Sequence, residues 1–201
     1  MKIGIIGSGN VGGTLGRRWA KNGHTVIFFD AEAPSAVLEA LLAEAGPTAK
    51  SGSVAETARQ SEVLLLATPW EAAQNALASA GDLIGKILID ATNPLLAGLT
   101  GLSLGTTTSA GEMVAKWAAG GRVVKAFNTV GFNIMADPRL AGGRAAMFYR
   151  GDDAKAKRRG RGSHCRTGVR GAGCRAAHRS AAARAFRPLV DLARAPIRLR
   201  A

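Results

Sequence analysis

The residues best suited to chemistry stand near the start of the chain, in Gly7-Ser8-Gly9-Asn10-Val11-Gly12. Glycines at this spacing suit the phosphates of a dinucleotide. Gly7 permits a tight turn, Gly9 lets the backbone approach a pyrophosphate, and Gly12 lets the following helix pack close to its strand. The N–H groups that open that helix would face the anion. Asp30 lies eighteen residues after Gly12, near the ~20 expected of the acid that holds adenosine ribose hydroxyls. Further along, Thr68-Pro69-Trp70, Asn93-Pro94 and Asn128-Thr129 offer a hydroxyl, amides and flat faces. Thr68 and Pro69 would lie alongside ribose and nicotinamide, and Asn93 or Asn128 would orient a carboxamide or a substrate carbonyl. Each also has an ordinary alternative: the prolines as loop punctuation, Trp70 as an anchor on the core, the asparagines as turn residues.

Acid-base and nucleophilic chemistry has few candidates. Residues 1–156 contain no cysteine, and their single histidine, His24, falls in a helix-to-strand turn at the edge opposite the candidate site. No group of residues has metal-ligand spacing, and Cys165 and Cys174 do not form a CxxC pair. Hydride transfer fits this inventory, because a nicotinamide carries the reaction and the protein has only to align two rings.

The elements that must position these residues alternate. Lys2–Ile6 is a short β-branched run that reads as a buried strand entering the glycine turn, and a helix of about twelve residues follows it. Val11, Leu15 and Trp19 share one face of that helix, Gly12 and Gly16 another, and Gly23 stops it. Thr25 to Asp30 is the second strand. Helices are expected over 34–45, 53–60, 71–80 and 109–118, and strands over 63–67, 87–90, 123–127 and 146–149, with loops over 91–108 and 128–134. Strands spaced by helices in this way predict an α/β fold: a doubly wound parallel sheet of the Rossmann type, whose ligands bind beyond the carboxyl ends of the strands. The longest apolar run after the first strand, Val63 to Ala67, is far too short to span a bilayer, and no signal peptide is evident, so a cytoplasmic location is expected.

The net charge of +13 is unevenly placed. Residues 157–201 hold Lys157 and twelve arginines against Asp191 alone, so residues 1–156 are nearly neutral. Between Lys157 and Ala185 no apolar period can be drawn, and this stretch is expected to be disordered or only locally ordered. The chain therefore divides into a dinucleotide-binding domain, 1–156, and a basic, poorly structured tail, 157–201. A tail made mostly of Arg, Gly, Ala, Ser, His and Cys is what a GC-rich gene gives when read out of frame. An arginine-rich arm on nucleic acid is the functional rival, with Phe186 its single aromatic, and a solvated extension is the third reading.

Several segments resemble the NADPH-dependent F420 reductase family. They are Ile5 to Gly12, Ala67-Thr68-Pro69-Trp70, Asp90-Ala91-Thr92-Asn93-Pro94-Leu95, Val123-Val124-Lys125-Ala126-Phe127-Asn128-Thr129 and Gly151-Asp152-Asp153-Ala154-Lys155. The similarity runs from residue 1 to about 156. It implies hydride exchange between NADP(H) and F420 or a similar flat acceptor, with nicotinamide and acceptor stacked near Pro69, Pro94 and Asn128. On this basis the cofactor side draws on Gly7, Ser8, Gly9, Asn10, Val11, Gly12, Asp30, Ala67, Thr68, Pro69 and Asn93. The acceptor side draws on Trp70, Pro94, Phe127, Asn128 and Thr129. Where the family usually has a Gly-Ser-Arg-like turn for the 2′-phosphate of NADP, this chain has Phe29-Asp30-Ala31-Glu32, whose carboxylates leave NAD open beside NADP. In the family the Gly-Asp-Asp-Ala-Lys segment opens a helix, followed by a strand and a closing helical segment beside the acceptor. A non-catalytic NAD(P)-binding module with a nucleic-acid-binding tail is the alternative, and a homodimer is left open.

Overall fold

The computed structural model describes residues 1–29, 35–105, 107–141 and 143–151. Expectations for Asp30, for the helix opened by Asp152 and for the basic tail lie outside these residues.

The first unit is β1 (Lys2–Ile6), α1 (Asn10–Lys21) and β2 (Thr25–Phe29). Then come α2 (Ala36–Ala45), β3 (Ala49–Ser51), α3 (Val54–Gln60), β4 (Val63–Leu66) and α4 (Trp70–Ala80). They are followed by β5 (Ile87–Asp90), α5 (Ala110–Trp117), β6 (Arg122–Ala126) and α6 (Phe132–Ala136). A two-residue hairpin pair, β7 (Arg139–Leu140) and β8 (Gly143–Arg144), precedes β9 (Tyr149–Gly151).

Seven strands form one sheet in the order β3-β2-β1-β4-β5-β6-β9. The first six are parallel and β9 joins antiparallel at the edge. Both faces are covered, so the central strands are apolar throughout. Ile3, Ile5, Val26, Phe28, Val63, Leu65, Ile87 and Ile89 point to one face, with Leu15 and Trp19 of α1 and Leu38 and Leu41 of α2. Ile6, Leu64, Leu66 and Leu88 point to the other, under Ala58 of α3, Ala73 and Leu77 of α4 and Val114 of α5. Gly16 is a close-packing point: a Cβ there would stand 2.3 Å from Cζ of the buried Phe28.

Three elements depart from the sequence reading. Ala49–Ser51 is a strand with no apolar signal, and it forms because it pairs with Val26–Phe28 at the sheet edge. The loop expected over 128–134 contains most of α6, a five-residue helix held from outside: the buried Arg18 of α1 donates to the carbonyl of Ala136. The strand expected over 146–149 lies instead at Tyr149–Gly151, where Gly151 approaches β6 so closely that a Cβ would meet the Val123 carbonyl at 2.7 Å. Among the described residues no helix is long and apolar enough to cross a membrane.

Candidate functional site

The chain order places a switch point between β1 and β4. From β1 the chain winds outward through β2 and β3, then returns to the other side of β1 as β4. The loops after these two strands therefore diverge and leave a crevice at their carboxyl ends. Gly7 opens the first loop with φ +99°, a conformation few side chains tolerate. A Cβ on it would stand 2.7 Å from the Ala67 carbonyl oxygen and 2.9 Å from the Thr68 nitrogen, so the two loops touch at backbone distance. A Cβ on Gly12 would come within 1.9 Å of the Gly7 carbonyl oxygen, and α1 can start where it does only because none is present. Above Gly9 the space is open: a Cβ there meets nothing within 4 Å.

The start of α1 is also left bare by its own sequence. Gly9 supplies no side-chain cap, and the first turn carries no acid. By contrast, Ser35, Ser53 and Ser109 cap α2, α3 and α5, with Glu39, Glu56 and Glu112 in their first turns. The positive end of α1 and its opening N–H groups thus face open space over Gly9, which fits a diphosphate. Thr68 adds a second observation. Its Oγ1 is buried and has no hydrogen-bond partner among the described residues, which suits a hydroxyl awaiting a polar group of a ligand. Ser8 is buried, Asn10 exposed and Val11 partly buried against the core.

The loops after β5 and β6 are tied to one another. Asn93 Nδ2 donates to the Asn128 carbonyl at 2.9 Å, and Asn128 Nδ2 reaches Asn93 Oδ1 at 3.4 Å. Beneath them lies an ion pair. Asp90, 0% exposed, accepts from Lys125 Nζ at 3.0 Å on one oxygen and from the Thr92 N–H and hydroxyl, at 2.9 and 2.7 Å, on the other.

Two side chains expected at the acceptor are instead in the interior. The Phe127 ring is 1% exposed and packs edge-on against Trp19, with centroids 6.2 Å apart, so only its backbone, at φ +66°, belongs to the sheet edge. Pro94 is buried, and its carbonyl accepts from the Ser103 N–H at 2.8 Å. Trp70 is half-buried beside the second core, its ring 5.0 Å from that of Trp117. Pro69 and Thr129 are exposed, while Ala67, Asn93 and Asn128 are half-buried. His24 sits far from these loops, its Nδ1 3.3 Å from the N-terminal ammonium; burial, and then that charge, hold its pKa below the ordinary value.

Asp90, Lys125 and Arg18 were missed as candidates in the sequence. The first two had a readable signal: each is a charge inside a strand buried on both faces, where an ion requires a partner. Arg18 lies on the apolar side of α1, and burial lowers its pKa against the opposing pull of Asp137.

A doubly wound sheet with a glycine turn at its switch point defines a dinucleotide-binding protein of the Rossmann type. Residues 2–94 match the family model described as NADP oxidoreductase, coenzyme F420-dependent. A protein from Arthrobacter sp. FB24, put forward as an F420-dependent NADP-reductase, is 34% identical over 79% of this chain and 77% of that one, with a TM-score of 0.69. A hypothetical protein from Sinorhizobium meliloti is 26% identical over the same shares, with a TM-score of 0.67. A reductive aminase from Aspergillus terreus shares the fold at 22% identity, covering 69% of this chain and 44% of that one with a TM-score of 0.54. No curated protein matches. The chain belongs to the family of F420-dependent NADP oxidoreductases and is an NADP-dependent oxidoreductase. Of the two nucleotides that the sequence left open, NADP is the one the family uses.

Proposed function

We propose that this protein moves hydride between NADPH and a flat acceptor of the F420 class, in the cytoplasm, along the edge where β1, β4, β5 and β6 end. The observation that carries the reading is the contact of the Gly7 turn with Ala67-Thr68 beside the uncapped start of α1. In this reading the backbone from Ser8 to Gly12 holds the diphosphate, and the Thr68 hydroxyl satisfies itself on the ribose side. When bound, NADPH supplies the hydride. The chain's own work is to bind, align and exclude water. Pro69 forms one wall of the nicotinamide site, the paired amides of Asn93 and Asn128 set the height of the opposite edge, and Thr129 and Trp70 border the acceptor. Residues 1–156 constitute the reductase domain.

An absorbance assay of NADPH consumption against F420, FAD and a soluble quinone tests this. Turnover with F420 well above the other two is expected. Tight NADPH binding with turnover on FAD or quinone alone would displace F420 from the reading. Absence of NADPH binding would remove the site itself.

A further inference from the structure

The ion pair under the acceptor edge has a geometry that goes beyond holding two strands together. Asp90 ends β5, and Lys125 is its register partner on β6, so both side chains emerge on the α4 and α5 face. The Lys125 stem runs past Gly111 in the first turn of α5, its Cβ and Cδ each 3.9 Å from where a Gly111 Cβ would stand. Its ammonium then turns back. Besides the bond to Asp90, Nζ donates to the Thr92 carbonyl and reaches the Thr92 hydroxyl oxygen at 3.4 Å. Thr92 is thereby bonded at its N–H, hydroxyl and carbonyl by just two side chains. The next residue is Asn93, which donates to the carbonyl of Asn128, three positions beyond Lys125.

The bonds close a ring: Lys125 to Thr92, Thr92 to Asn93 along the chain, Asn93 to Asn128, and Asn128 back to Lys125 through Phe127. Phe127 completes it with φ +66°, a conformation that costs free energy for a residue with a Cβ and persists where the surroundings enforce it. An apolar pair at positions 90 and 125 would hold β5 to β6 at no desolvation cost. It would not reach the Thr92 carbonyl.

We propose that Lys125 is a positioning residue, which fixes the Thr92-Asn93 backbone and through it the Asn93–Asn128 amide pair at the height needed to align nicotinamide and acceptor. The proposal rests on the reading of this edge as the site of hydride transfer. The ammonium is held by Asp90 and Thr92, and its side chain remains 21% exposed, on the rim of the ring.

The test uses the full chain and three variants. Lys125→Met alone leaves Asp90 as an unpaired buried charge and is expected to lose stability. Asp90→Asn with Lys125→Met removes both charges, keeps an oxygen for Thr92 and deletes the tether, leaving one neutral amide in place of an unpaired charge, so it should fold with a melting temperature between those of Lys125→Met and wild type. In this double variant kcat with F420 is expected to fall roughly 10- to 100-fold, with the Kd for NADPH unchanged within about twofold. Lys125→Arg, which can still reach the Thr92 carbonyl, should recover part of kcat. A readout independent of turnover accompanies these assays: the side-chain amide NMR signals of Asn93 and Asn128 should shift and broaden in the double variant. A double variant with wild-type kcat and unmoved amide signals would reduce Lys125 to a strand clamp and overturn the proposal. If the wild-type protein turns over no acceptor, the reading of the edge fails. The amide signals would then still decide whether Lys125 positions the pair.

Discussion

Replacing Gly9 and Gly12 in turn by alanine separates binding from packing. At Gly12 the added methyl would stand 1.9 Å from the Gly7 carbonyl oxygen, and ordinary contact begins at 3.4 Å, so α1 must withdraw from the turn by about 1.5 Å. Overpacking of this kind costs about 1–3 kcal/mol, and backbone cannot step aside as a flexible side chain would. For a chain of this length that lowers Tm by roughly 2–12 °C, with NADPH affinity falling as a consequence. At Gly9 the methyl meets nothing within 4 Å, and φ is already −65°. The folded state loses only the difference between glycine and alanine as a helix cap, about 1 kcal/mol or less. If the diphosphate lies over Gly9, that same methyl occupies its space, and Kd should rise about 100-fold, or ~2.7 kcal/mol. Calorimetry gives Kd and scanning calorimetry gives Tm on the same samples. A Gly9→Ala protein with intact Tm and unchanged Kd would refute a dinucleotide at this turn.

Thr68→Val keeps the shape of the side chain and removes a buried hydroxyl that has no partner among the described residues. Tm should hold or rise while NADPH affinity falls roughly 10-fold, and a fall in both would mean that the hydroxyl serves the fold. Asn10→Asp puts a carboxylate at the positive end of α1. It should raise apo stability by about 0.3–1 kcal/mol and weaken NADPH binding by repulsion, less so at high salt; tighter binding in calorimetry would contradict a phosphate there. Stability should also fall with acid. Hydrogen bonds from the Ser53 and Ser109 backbone and hydroxyls lower the Glu56 and Glu112 pKa values, and burial followed by the N-terminal charge lowers that of His24. The folded state thus favours the deprotonated forms. Their contribution is full above the unfolded values of 6.5 for His24 and 4.5 for the glutamates, and is lost as pH falls through the lower folded ones. His24→Gln should flatten the Tm profile just below neutrality and Glu112→Gln the more acidic part; profiles parallel to wild type would exclude these groups.

What could be read from the chain was what its local chemistry enforces. The run Lys2–Ile6, the glycine spacing and the face shared by Val11, Leu15 and Trp19 gave β1, α1 and the crevice, because each signal lies within one turn or one pleat of the residues it governs. Ala49-Lys50-Ser51 was invisible because its pairing partner lies more than twenty residues away and its own side chains express no preference. The helix at Phe132–Ala136 depends on Arg18, more than a hundred residues earlier. At the site the same division holds. Gly7, Gly9 and Gly12 are placed by the turn they themselves make, whereas Asn93 and Asn128 are joined by a bond between loops 35 residues apart. The Phe127 ring was misjudged for a related reason. A left-handed turn at the end of β6 puts the ring in the core and leaves its backbone at the edge, and no pattern in Val-Val-Lys-Ala-Phe-Asn-Thr announces that turn.

Six helices begin at the carboxyl edge of the sheet, and their first turns fall into two sets. Those after β2, β3 and β5 open with serine caps and a glutamate, so their N–H groups are satisfied and their dipoles neutralised by the chain itself. Those after β1, β4 and β6 open from Gly9, Pro69 and Gly131 with no side-chain cap. A glycine start, as at Gly9 and Gly131, gives up roughly a few tenths of a kcal/mol relative to a serine at the same position. Two of these three helices flank the switch point, where β1 and β4 part, and the third follows the strand that carries Lys125 and leads to Asn128. At α1, whose first turn also carries no acid, a cap would occupy the donors that an anionic ligand needs and a capping acid would repel it, whereas the first turn of α4 does carry Glu71. Across the described edge, the two adjacent uncapped starts, those of α1 and α4, follow the loops that touch one another through Gly7, Ala67 and Thr68. Stability surrendered at the start of α1 is thus the local condition for holding a dinucleotide, in the sense that the same N–H groups cannot serve both a serine and a phosphate.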